Sequence, residues 1–241
     1  YAGQVLRASR HLKTTSDALK ELALGGTAVG TGINAHPEFG PRTASALTKL
    51  TGARFKSAGN YFEGISSQDT SVELSGQLKT LACSLMKIAN DIRWLGGGPR
   101  CGLGELALPA NEPGSSIMPG KVNPVMPEMV MQVAAQVIGN DAAITWGGAN
   151  GNFELNVMMP LIAHNLLQSI GLLATAADTF RERCVEGIVA SQVSVLRQRG
   201  GDETELSRAP GAGTGGLCVS ATPVQVTAAD RCHRLERFQV T

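Results

Sequence analysis

Leu74, Leu78, Leu81, Leu85, Ile88, Ile92 and Leu95 recur at spacings that alternate between four and three residues. That spacing keeps apolar side chains on one stripe of an α-helix and is incompatible with a strand, whose faces alternate at every residue. Met126, Val130, Val133, Val137 and Ile144 follow the same rule just after Asn123 and Pro124. An asparagine cap and a first-turn proline predict a helix start at that point. A third run, Leu155, Met158, Ile162, Leu166, Ile170, Leu173, Ala177, Phe180 and Cys184, predicts another long helix. Val5, Leu12, Leu19 and Leu22 give Tyr1 to Leu24 a helical face with no capping signal ahead of it, so the chain is expected to enter mid-helix. The fold class expected is all-α, a bundle of long helices. Its apolar stripes need partners, which makes a homo-oligomer the expected state.

Charge and composition exclude several functions. Lysine and arginine number 21 against 20 acidic residues, for a net charge of +1, and no basic stripe could follow a phosphate backbone. Nucleic acid is therefore not an expected partner. Cys83, Cys101, Cys184, Cys218 and Cys232 show no CxxC spacing, and His11, His36, His164 and His233 are scattered, so no zinc site is expected. With no signal peptide and no apolar run near twenty residues, the sequence reads as soluble, cytoplasmic and without a membrane partner. His164, inside the third helical run, is expected to pack within the bundle.

Glycine-rich stretches at Gly25 to Gly32, Gly96 to Gly104 and Asn111 to Asn123 separate the helices, and such loops commonly carry function. The most informative is Gly114-Ser115-Ser116-Ile117-Met118-Pro119-Gly120-Lys121-Val122-Asn123-Pro124. Small residues let backbone amides close around an anion, Lys121 adds a positive charge, and Asn123 stands at a helix start whose dipole also favours anions. A carboxylate fits such a site. Ser115 and Ser116 place hydroxyls beside it, and one could act as a base if its alkoxide were held by amides and Lys121. Free serine is too weak an acid for this at neutral pH, so the surroundings must supply the difference. A plain surface loop that ends in a capped helix accounts for the same composition.

The run GSSIMPGKVNP resembles the signature loop of the fumarase and aspartase superfamily. Gly147 to Val157, reading GGANGNFELNV, and Gly25 to Gly32, reading GGTAVGTG and followed by Asn34, His36, Pro37 and Glu38, are similar to the fumarase forms. Val125-Met126-Pro127 is shared with aspartase-like sequences. The resemblance implies that Ser115 is the catalytic base and that Ser116, Lys121 and Asn123 contact the substrate carboxylate. It implies that Glu128 orients or polarises a histidine of the site, although a solvated first-turn glutamate would also suit that position. It further implies hydration of fumarate to malate, the small dicarboxylate pair of the tricarboxylic acid cycle, without metal or organic cofactor. Fumarases resemble tetramers whose central helices form one core and whose sites draw loops from different subunits.

The resemblance covers about residues 1–189, as the central helical bundle domain without its opening part. The serine/threonine and asparagine-containing substrate clusters and the threonine-histidine pair of fumarases find no match; Ser66-Ser67 lacks the following asparagine. Residues 190–241, rich in glycine and arginine, lose helical periodicity and read as a weakly structured tail, such as a shift of reading frame would produce. The chain alone is expected to hydrate fumarate poorly or not at all. Aspartate ammonia-lyase is the alternative enzyme, and a non-catalytic helical oligomerisation module the alternative outside enzymes.

Overall fold

The structure, a computed structural model, describes residues 1–98, 102–112, 117–118 and 121–191. Six α-helices dominate it: α1 (Ala2–Ala18), α2 (Phe39–Thr51), α3 (Tyr61–Ser66), α4 (Asp69–Leu95), α5 (Val125–Ala149) and α6 (Met159–Arg183). Four two-residue strands accompany them, β1 (Glu21–Leu22), β2 (Lys56–Ser57), β3 (Leu106–Ala107) and β4 (Val189–Ala190), with a 3-10 turn at Val185–Gly187. This is the all-α, long-helix architecture expected from the sequence. The chain forms two compact units, Gly3–Lys87 with Met129–Asp178, and Tyr1–Ala2 with Ile88–Glu128 and Thr179–Thr241.

The long helices form where they were expected, but their buried seams run beside the apolar spacing. Along α4 the seam is Ser75, Leu78, Ala82, Leu85, Ala89 and Ile92, none more than 8% exposed, flanked by Leu74 and Ile88. Leu81 and Leu95 are only partly covered. Large and small residues alternate in this seam, which lets a neighbouring backbone approach at the small positions while the large ones fill the space between. On α5 the buried residues are Pro127, Val130, Ala134, Val137, Asn140, Asp141, Ile144 and Gly147, with Met126 and Val133 partly covered. On α6 they are Ile162, Leu166, Ser169, Leu173, Ala176 and Phe180; Leu155, Ile170 and Ala177 are exposed. His164 is exposed too, so it is not the packed histidine expected. Its position falls two residues after Ile162 and two before Leu166, off the buried stripe.

Polar contacts fix the three long helices against one another in the larger unit. Asp141, 5% exposed, accepts the Ser75 hydroxyl at 2.7 Å and pairs with Lys79 Nζ at 2.6 Å. Asn140, 3% exposed, donates to Gln168 Oε1 at 2.9 Å and Ser169 Oγ at 3.0 Å, and accepts from Gln136 Nε2 at 2.8 Å. A buried polar group without partners would cost on the order of 1–3 kcal/mol, so each bond specifies the pairing of helices.

α1 stops at Ala18 instead of running to Leu24, because Glu21 and Leu22 join Lys56 and Ser57 in a parallel pair. Glu21 and Lys56 face each other in register at 2.6 Å. The Lys56 hydrogen bond, then the Gly59 amide, holds the Glu21 carboxyl below its usual range. The glycine-rich segment 25–32 lies against α3: a Cβ at Gly26 would meet Tyr61 Cβ and Ile65 Cδ1 at 2.7 Å, and one at Gly30 would meet Phe62 Cα at 2.8 Å. That approach admits only glycine.

α6 is also apolar enough in length and composition to cross a membrane, with a mean hydropathy of 1.2 within Met159–Gly187. The expectation of no such run overlooked it because Asn165, Gln168 and Ser169 interrupt its letters without lowering its average far. Of the tail expected over 190–241, residues 192–241 lie outside the described residues. Ala190 belongs to β4, and the Ser191 amide donates to Glu105 O at 2.7 Å.

Candidate active site

The smaller unit holds the root of the signature loop. After α4 the chain turns back, with the Gly104 amide donating to Gly97 O at 2.7 Å and the Glu105 amide to Leu95 O at 2.9 Å. A Cβ at Gly102 would come within 2.2 Å of Gly97 O, so this turn requires glycine. β3 then pairs antiparallel with β4, Leu106 opposite Ala190 and Ala107 opposite Val189. Asn111 closes the root by donating from Nδ2 to Arg183 O at 2.8 Å, at the C-terminal end of α6, and to Pro109 O at 3.2 Å. An orphan carbonyl of the helix end is satisfied there, and the chain entering the loop is tied to a rigid element.

Ser115 and Ser116, with Pro113, Gly114, Pro119 and Gly120, lie outside the described residues. Beyond them Lys121 and Asn123 are both exposed. The Lys121 amide already donates to Met118 O at 3.1 Å, so it is committed to the loop's own turn. The Asn123 carbonyl accepts from the Val125 amide at 2.9 Å, and Pro124 O accepts the first helical bond from Glu128 at 3.1 Å. α5 thus starts one residue later than Asn123 and Pro124 suggested, with Pro124 in the cap position. Pro127, in the first turn, has no N–H to give. The Met126 amide is the donor left open at this helix start among the described residues. The amides of the small residues Gly114 to Ser116, expected to close around an anion, lie outside the described residues.

Glu128 sits in the first turn of α5, where its charge suits the helix dipole. Its Oε1 lies 3.7 Å from Nε of Arg93, which stands in the last turn of α4. The two side chains are 39% and 43% exposed. Arg93 was not picked out from the sequence; its place at the end of the α4 pattern, one glycine turn ahead of the loop, was the available signal. Cys184, 1% exposed in this unit, has its thiol pushed up to about 11 by burial.

Elsewhere, an open cavity of about 400 Å³ is lined by His36, Phe39, Arg42, Thr43 and Ala46. His36 Nδ1 accepts the Glu38 amide at 3.1 Å, and Arg42 is paired with Glu38 at 2.6 Å. Among the described residues lining this cavity, the Arg42 charge is thereby neutralised.

The family model described as lyase matches residues 1–139, more than half of the chain. The chain belongs to the lyase family. The chain is 55% identical over 195 residues to the class II fumarate hydratase of Nitrosomonas europaea, covering 81% of this chain and 42% of that protein. It is 58% identical over 191 residues to the class II fumarate hydratase of Neisseria meningitidis, covering 78% and 41%. Among solved structures it is similar to a class II fumarase from Schistosoma mansoni, with a TM-score of 0.78, 36% identity, and coverage of 85% of this chain and 49% of that one. The lyase chain therefore spans less than half the length of these relatives.

Proposed function

We propose that this lyase carries the signature-loop portion of a class II fumarate hydratase, which adds water to fumarate to give malate. The observation that carries the reading is the run Gly114 to Pro124 in a chain 53–58% identical to relatives named for that activity. In this reading Ser115 removes the proton next to a carboxylate of malate, and the resulting aci-carboxylate is held by Ser116, Lys121 and Asn123. Glu128 orients a histidine supplied by a part of the site that this chain does not itself match. The chemistry calls for no metal or organic cofactor.

Residues 1–189 act in this reading as part of the central helical domain, with 190–241 outside it. A homo-oligomer, a tetramer on the fumarase pattern, is supported by Leu161, Leu167 and Ile170, which stand 40–69% exposed on α6. The free thiols of Cys83 and Cys184 suit a soluble, cytoplasmic protein serving the tricarboxylic acid cycle.

The test is complementation. The chain is co-expressed with the Neisseria meningitidis relative whose own signature loop has been disabled by substitution, and the mixed assembly is assayed for loss of fumarate absorbance. Hydration restored by this chain, and not by its Lys121→Ala form, is expected. Restored deamination of aspartate without hydration would reassign the substrate, and no restoration of either would overturn the reading.

A further inference from the structure

We propose that Arg93 is a positioning residue that sets the carboxylate of Glu128 for the reaction; this rests on the fumarase reading of the site. The two residues stand 35 positions apart in sequence, on different helices, and meet at 3.7 Å through Nε and Oε1. Each is locally favoured by its own helix: a cation in the last turn of α4, an anion in the first turn of α5. Those local preferences would hold each residue in place without the other. They do not require the two to face each other.

The pair adds little to stability. Partly exposed ion pairs contribute little, because water screens them and two long side chains lose freedom. Its effect is directional. A glutamate in a first helical turn has several rotamers open to it, and a guanidinium on one side selects those that turn Oε1 toward α4. At 3.7 Å the contact is electrostatic and longer than a hydrogen bond, so the Glu128 carboxylate is oriented while keeping acceptor capacity for an N–H arriving from elsewhere. Arg93 is also anchored near the loop: its helix ends at Leu95, whose carbonyl accepts the Glu105 amide at 2.9 Å. The residue that aims Glu128 is thus tied to the same turn that starts the signature loop.

The experiment compares the chain with its Arg93→Gln, Arg93→Lys, Glu128→Gln and Arg93→Gln/Glu128→Gln forms, by thermal melting of each chain and by hydration in the complemented assembly. Expected are a roughly 10-fold lower kcat for Arg93→Gln with KM within about twofold, substantial recovery in Arg93→Lys, and no further loss when Arg93→Gln is added to Glu128→Gln. Losses that multiply, or a loss confined to KM, would overturn the proposal. Melting separates this outcome from failure of the functional reading. If the wild-type chain supports no turnover, the fumarase reading falls, and the pair is judged by Tm alone. A drop caused by Arg93→Gln that disappears in the Glu128→Gln background upholds the contact, and an equal drop in both removes it.

Discussion

The ammonium of Lys79 lies 2.6 Å from the carboxylate of Asp141, joining α4 to α5 at a position where the carboxylate side chain is only 7% exposed and the lysine 43%. Ser75, one turn earlier on α4, donates to the other oxygen at 2.7 Å. Both oxygens of a buried carboxylate are therefore satisfied by one helix.

Removing the carboxylate strands both donors. Asp141→Ala is expected to destabilise the chain by about 2–4 kcal/mol, near the range for breaking a buried pair and moderated by the solvent that reaches Lys79. Lys79→Met, which leaves a buried anion with the Ser75 hydroxyl alone, should cost less, on the order of 1–2 kcal/mol. Urea unfolding followed by helical circular dichroism measures both. An Asp141→Ala chain as stable as wild type would show that the contact contributes nothing.

This contact also marks where the sequence stopped being readable. The alternation of four and three announced each long helix, because any seam of period 3.5 contains Leu78, Leu85 and Ile92. It could not decide between two seams sharing those residues. Hydrophobicity favours Leu81 and Leu95, which are only partly covered, whereas close packing selected Ser75, Ala82 and Ala89, whose small side chains allow a neighbouring helix to approach. The sequence carried no signal for the burial of Asp141 and Asn140, because their partners on other helices lie far away in sequence. The loop was legible as the run Gly114 to Pro124, and the roles of Lys121, Asn123 and Glu128 rest on that run's family resemblance. Arg93 was not, since its relation to Glu128 exists only after two helix ends have been brought together.

Gly102 offers a test of how tightly the loop's root must turn. Gly102→Ala would push a methyl group into Gly97 O, a backbone atom that cannot swing aside. The helices do not depend on that turn, so helical content should stay within about a tenth of wild type, while the amides of Gly104 and Glu105 lose protection by about tenfold or more. Hydrogen exchange resolved by peptide would show it. Unchanged protection would mean that the turn relaxes without effect on the loop.

Burial of Cys184 gives the chain a defined alkaline limit. The thiol ionises at about 11 in the folded chain against an ordinary 9.0, because the charged thiolate loses its hydration there. The folded state therefore holds the proton more firmly than the unfolded one. Its contribution is complete below pH 9 and is lost as pH rises from about 9 to 11, by on the order of 2 kcal/mol. Cys184→Ala should flatten that part of the stability curve, and iodoacetamide at pH 8 should label exposed Cys83 well before Cys184. Equal labelling of the two in the native chain would contradict the burial argument.

In the proposed reading Lys121 brings the charge that holds a substrate carboxylate. Its own amide is tied to Met118 O, the Val125 amide to Asn123 O, and Pro127 has no N–H, so few backbone donors remain at this end of α5. Among the described residues at this helix start, a carboxylate would meet the Lys121 ammonium and one open amide, that of Met126. If charge dominates, Lys121→Ala should weaken dicarboxylate binding by at least about tenfold, equivalent to 1.4 kcal/mol, with no change in Tm because the side chain is exposed. Lys121→Arg should recover only part of it, since a planar fork cannot occupy the place of a point charge. Asn123→Ala should cost less, as a neutral donor is worth roughly half a charged one. Calorimetric titration of the chain with malate at low salt and again at 0.5 M sodium chloride checks the order. A salt-independent affinity, or a larger loss from Asn123→Ala than from Lys121→Ala, would move the binding role from the lysine to the asparagine and the helix start.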